Sequence, residues 1–332
     1  MTRKAALLLI LRIGVSVVLL VLLFRWVEID FDELWPDDTA AVVWLLVAIG
    51  FMIASQVLAS MRWLQVCRAV SLEASPVRLF WHTMAGQFLS NFVPTTIGGD
   101  VVRVARLGRD TGDRPTAFTT VVLERLSGWM VLPASIFAGL LLDPELRSLG
   151  AATRAALIAG VITVVALGVI ILAAGNDFTG RLLDRYEGPL AWLHAVHEGL
   201  DGLRERPRQI VRILGTGALY QLILIGSFFA AGKSIGIENF GIRAALAFIP
   251  AVLIVQVLPL GIGGLGVREG ALALFLGALD VPEAQAVALG LTFYAITLIV
   301  SLLGLPALVF GARAGADDVE LVPGAQVDTS SP

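Results

Sequence analysis

Two stretches hold the residue types best suited to chemistry. Phe92–Arg103 reads FVPTTIGGDVVR and Val257–Arg268 reads VLPLGIGGLGVR. In each, a proline (Pro94, Pro259) ends an apolar helix and paired glycines (Gly98 and Gly99, Gly263 and Gly264) free a turn. The helix that restarts there exposes backbone N–H groups, which favour anions. Arg103 and Arg268 lie four residues past their glycine pairs, about one helical turn on. A guanidinium fork beside free N–H groups suits a phosphate. The second stretch also spells G-x-G-x-x-G through Gly261, Gly263 and Gly266. A dinucleotide loop needs a strand before it and a βαβ unit around it. Here an apolar helix precedes it and no alternating strands follow, so both stretches read as helix breaks.

Other polar residues sit near these breaks. Thr83, Gln87 and Asn91 recur at i, i+4, i+8 with Ser90 alongside, a polar stripe that lines either a cavity or a helix contact. VVLERLSGW places Glu124 and Arg125 about two turns inside an apolar run. Neighbours on a helix point about 100° apart, so each needs a partner elsewhere, and Arg103 is a candidate for Glu124. Asp100 and Glu269 could instead pair with the nearby arginines, and Gln256 answers Asn91 in the second copy. His194-x-x-His197-Glu198 lacks a clear third metal ligand, and Gly226-x5-Gly232-Lys233-Ser234 is one residue too long for a P-loop. No cofactor, metal or nucleic-acid partner is expected.

The elements that must hold these residues are apolar. The 332 residues are 57% hydrophobic and 15% charged, against roughly a quarter charged in soluble domains. Full spans are expected at roughly 7–26, 40–60, 116–142, 152–174, 210–231 and 285–310. The stretches 79–110 and 242–279 are broken by Pro and Gly and read as re-entrant hairpins. The first run resembles a signal peptide but lacks an A-x-A site, so it is read as a retained helix. The segment 178–208 has an apolar face at helical spacing and is expected to lie on the cytoplasmic surface, and 313–332 reads as a disordered tail. Arg3 and Lys4 precede the first run, Arg62, Arg68 and Arg78 follow the second, and the loop between them carries six acids and no Lys or Arg. The positive-inside rule then puts both termini in the cytoplasm.

The two broken stretches agree at six of twelve positions without a gap. Each half, about 5–142 and 152–311, reads span, span, broken hairpin, span, and the halves begin on opposite sides. The fold expected is an all-α polytopic membrane protein built as one transmembrane domain, 1–312, from an inverted-topology repeat. Gly/Pro-interrupted segments at matching places mark a binding site near the midplane.

Taken together, the first motif, the E-R-x-x-G of Glu124, Arg125 and Gly128, and PLGIGGLGVRE (Pro259–Glu269) resemble the lysylphosphatidylglycerol synthase transmembrane-region family over about residues 5–312. The resemblance implies a multi-spanning protein of the bacterial cytoplasmic (inner) membrane with flippase-like traffic of lipids, and aminoacyl transfer is not expected of this chain. The function expected is translocation of an anionic phospholipid or polyprenyl-phosphate-linked lipid. Arg103 and Arg268 would hold the phosphate, and Glu124 would gate or couple. Arg125, Asp100, Glu269, Gln87, Asn91 and Gln256 complete the expected site. An intramembrane transferase, or a non-catalytic membrane subunit working beside an envelope-biosynthesis enzyme, stays open as the alternative.

Overall fold

The computed structural model describes residues 38–92, 98–175, 191–204, 206–257 and 264–311. The expected first span, tip residues Pro94, Pro259, Gly261 and Gly263, the start of the surface segment and the tail fall outside them. Every described element is a helix or turn. In chain order these are α1 (Thr39–Ala69), α2 (Pro76–Phe92), α3 (Gly98–Thr111), α4 (Arg114–Leu142), a short 3-10 turn, α5 (Ala151–Ala174) and α6 (Ala191–Arg204). Then come α7 (Pro207–Ser234), α8 (Ile242–Val255), α9 (Val267–Gly277), α10 (Glu283–Ser301) and α11 (Gly304–Gly311).

Five helices, α1, α4, α5, α7 and α10, are long and apolar enough to cross a membrane. They match the second to sixth expected spans. Their starts follow local rules. Asp38 accepts from the Ala41 N–H at 2.7 Å, Asp113 accepts from the Thr116 N–H at 3.0 Å, and Pro207 opens α7 where its missing N–H would have no helical acceptor. The same Thr116 hydroxyl and N–H hold the Asp113 carboxyl below the usual range. α5 presents Ile158, Val161, Ile162, Val165, Val169 and Leu172 outward, as a lipid-facing helix does.

The last expected span, 285–310, is interrupted. Hydrogen bonds tighten at Leu302 and Leu303, and the chain restarts as α11. Gly304 there abuts the Met84 carbonyl of α2 so closely that no Cβ would fit. Pro306 falls in the first turn of α11, where an N–H has no helical acceptor. α6 buries part of its apolar face against the spans. Val196 and Gly199 are buried, Gly199 against Leu123 of α4, and the His197 ring meets the Ala174 carbonyl at 2.6 Å.

Both broken stretches are pairs of short helices packed on each other, α2 with α3 and α8 with α9. Their longest arm, 17 residues, reaches about 25 Å, short of a roughly 30 Å hydrocarbon layer. The arms of the first pair interlock at Gly99, which leaves no room for a side chain against the Gly86 backbone and Ser90. The arms are also exchanged between halves. α8 packs along α4, while α2 packs on α10 and α11, and α1 pairs with α7 through the middle. An apolar core centred on α7 to α10 fixes this frame, with Phe228 stacked on Phe293 and Phe248 on Phe275 at ring separations of 3.5 and 5.3 Å.

Candidate functional site

A cavity of about 240 Å3 opens where α1, α2, α3, α4, α7 and the end of α8 meet. Each helix contributes one face. α2 gives Thr83, Gly86, Gln87 and Ser90 at i, i+3, i+4, i+7, and α4 gives Glu124, Arg125, Gly128, Trp129 and Leu132. α3 brings Asp100 and Arg103 one turn beyond the hairpin tip.

An alternating chain of charges crosses the cavity wall. The Arg62 Nε donates to Glu124 Oε1 at 2.9 Å, and its Nη2 donates to the same oxygen. Arg103 Nη1 donates to Glu124 Oε2 at 3.1 Å and to Asp100 Oδ1 at 3.4 Å. Arg125 Nε donates to Asp100 Oδ2. Glu124 is 3% exposed, Arg62 6% and Arg103 8%, so these charges are dry enough to require partners. Aromatic rings cover the guanidinium faces, Tyr220 under Arg62 at 4.9 Å and Trp63 under Arg103 at 4.2 Å. Gly128 leaves space for Arg62, since a Cβ there would sit 2.9 Å from its Nη1. The G of E-R-x-x-G therefore seats the arginine that pairs with the E.

The pairing is incomplete. Arg62 Nη1, Arg103 Nε and Arg103 Nη2 are buried without an acceptor among the described residues. Arg62, Arg103 and Arg125 against Asp100 and Glu124 leave the charged lining at +3 − 2 = +1. Buried donors ordinarily find acceptors, so these three N–H groups are hydrogen-bonding capacity that the described residues leave unused.

The structure brings together Thr83, Gln87, Ser90, Gly99, Asp100, Arg103, Glu124, Arg125, Gly128 and Gln256 of the residues singled out in sequence, and Arg103 does partner Glu124. Asn91 is not part of the lining, although its amide nitrogen is buried and unpartnered. Arg268 and Glu269 form a separate pair, 3% and 0% exposed. Arg268 Nε donates to Glu269 Oε1 at 3.0 Å, the Gly266 N–H donates to Glu269 Oε2 at 2.6 Å, and Tyr294 lies 5.2 Å from the Arg268 guanidinium. Arg103 and Arg268 therefore do not share one cavity. Gly264 and Gly266, both at positive φ, make the turn that lets Glu269 cap its own helix.

Arg62, Gln56, Tyr220 and Gln221 line the cavity without having been singled out. Arg62 reads from sequence as a loop charge after the second span. In the structure α1 runs on for 31 residues, and Arg62 is buried inside it. The signal available was an arginine within helical continuation, four and five residues before Val66 and Cys67, which are also buried.

The chain is 26% identical over 312 residues to a UPF0104 membrane protein of Methanothermobacter thermautotrophicus, covering 87% of this chain and 90% of that one. No solved structure matches it. The sequence pattern of the lysylphosphatidylglycerol synthase transmembrane region matches residues 9–304, nearly the whole of the five-span helical frame and all of the cavity described above. This chain is a multi-pass membrane protein belonging to that family.

Proposed function

We propose that the protein translocates lipids with an anionic, phosphate-bearing head group between leaflets, the head group passing through the arginine-lined cavity while the tails stay in the bilayer. The three unpartnered N–H groups of Arg62 and Arg103, in a lining of net charge +1, carry this reading. A phosphodiester brings one negative charge and several acceptor oxygens, which neutralises the lining and satisfies the orphan donors together. Because Glu124 is held by both arginines, an entering phosphate competes with it and loosens the ties between α1, α3 and α4. Glu124 thus acts as the gate.

The two halves, about 5–142 and 152–311, are read as inverted copies. The repeated break motifs support this, as does the exchange in which each incoming hairpin arm packs on the last helix of the other half. Loop charges support placing both termini on the cytoplasmic side of the cytoplasmic membrane.

Proteoliposomes holding tail-labelled phosphatidylglycerol, read by accessibility of the label to a membrane-impermeant quencher, test the proposal. Exchange between leaflets is expected well above that of empty vesicles, and Arg103→Ala is expected to bring it back to that baseline. If no lipid moves, or if the protein instead converts a lipid-linked donor, the proposal fails. Translocation that survives Arg103→Ala removes the site assignment.

A further inference from the structure

The cavity lining also carries uncharged polar side chains. Gln56, Gln87, Gln221 and Gln256 enter the lining from four different parts of the fold, and Thr83 lines the same cavity. Gln221 is 3% exposed and its Nε2 has no partner, and Thr83 is 7% exposed with an unpartnered hydroxyl. The Gln56 amide reaches only the Met52 sulfur, at 3.8 Å. Primary amides and hydroxyls each donate and accept without charge, which is the complement of neighbouring alcohols. An ammonium group would need an available carboxylate. Both carboxylates of the lining are already shared, Glu124 between Arg62 and Arg103, and Asp100 between Arg103 and Arg125. Like charge disfavours an ammonium beside those arginines.

We infer that the lipid this cavity selects is a phosphodiester whose substituent is an uncharged polyhydroxy group, a sugar or cyclitol, and not one bearing an ammonium. The inference rests on the anionic-lipid reading above: the arginines take the phosphate and the glutamines read what is attached to it. Selectivity then resides at Gln221 and Gln87, which serve as specificity residues, while Arg103 supplies binding common to all phosphodiesters.

The test uses the full-length protein in detergent micelles and three lipids with identical chains: phosphatidylmethanol, which has the phosphodiester alone, phosphatidylinositol, and lysylphosphatidylglycerol. Binding is followed by titration of intrinsic tryptophan fluorescence. Phosphatidylinositol is expected to bind about tenfold tighter than phosphatidylmethanol, with lysylphosphatidylglycerol the weakest. Gln221→Leu and Gln87→Leu are each expected to shrink that preference to about threefold or less. Arg103→Ala is expected to weaken phosphatidylinositol and phosphatidylmethanol together. If the three lipids bind alike, or the ammonium lipid binds tightest, while Arg103→Ala still weakens all, the inference is overturned and the anionic-lipid reading stands. If no lipid binds saturably, or soluble glycerophosphoinositol competes at the same concentration as the lipid, the underlying reading falls instead. The wild-type ranking decides the matter even if a variant fails to fold.

Discussion

At the scale of single residues, the cavity is built on Arg62 and the glycine that admits it. Replacing Gly128 with Ala adds a methyl group 2.9 Å from the Arg62 guanidinium. In a helix interior Ala is favoured over Gly by about 1 kcal/mol. Stability and function should therefore part company in Gly128→Ala. The melting temperature is expected to hold or rise, while leaflet exchange of anionic reporters falls by at least about tenfold because the Arg62–Glu124 geometry shifts. Thermal denaturation and the liposome assay on the same preparation check both halves. Arg62→Lys tests the fork itself. Lysine keeps the charge but has no planar set of donors to hold Glu124 and reach a ligand at once. Affinity for phosphatidylglycerol is expected to drop about tenfold in titrations, with near-normal expression.

At the scale of elements, the first hairpin must be rigid enough to aim Asp100 and Arg103. Its arms meet at Gly99, against Gly86 and Ser90, so Gly99→Ala forces them apart one turn before Arg103. Asp113→Ala removes a helix cap at the start of α4, a cost of about 1 kcal/mol, without touching the cavity. Overpacking at Gly99 costs a similar or larger amount, typically about 1–3 kcal/mol. Both variants are expected to melt earlier, yet only Gly99→Ala should lose anionic-lipid binding, and paired melting and titration experiments would separate them. Within the described residues, the five long apolar helices, the paired short helices of both broken stretches and most of the α2 and α4 polar faces were legible in the sequence, because hydropathy and the 3.6-residue period are local signals. Arg62 was not, because apolar character fades near residue 60 while the helix continues to Ala69, held there by the Arg62–Glu124 pair 62 positions apart. Gln56, Tyr220 and Gln221 were equally hidden. One polar residue in an apolar span carries no period, and only the crossing of α1 with α7 places them together.

Over the whole molecule, one motif has two outcomes, and neighbouring residues decide which. Arg268 is followed by Glu269, which neutralises it within the same helix turn and caps that helix through Gly266. Arg103 is followed by Val104 and shares one nitrogen between Asp100 on its own helix and Glu124 on another, leaving two of its nitrogens without an acceptor among the described residues. On the proposed reading the Arg268–Glu269 pair, with Gly290 making room for the Glu269 side chain, is a structural joint, and the Arg103 side is where a ligand enters. Neutralising the two glutamates should distinguish these roles. Breaking a buried ion pair leaves an uncompensated charge and costs about 3–5 kcal/mol. Glu269→Gln is expected to lower the melting temperature by a fixed amount that no lipid restores, since Arg268 does not reach the cavity. Glu124→Gln raises the charge of the lining from +1 to +2 and frees further donors on Arg62 and Arg103. It too should melt earlier in neutral detergent, but phosphatidylglycerol should restore it, because a ligand that binds only the folded state adds stability in proportion to its occupancy. The same variant should bind the anion more tightly than wild type and release it more slowly, so exchange falls as affinity rises. Melting curves with and without phosphatidylglycerol, set beside leaflet exchange, would show this. Equal rescue of Glu269→Gln and Glu124→Gln by the lipid would remove the distinction between an open and a closed hairpin.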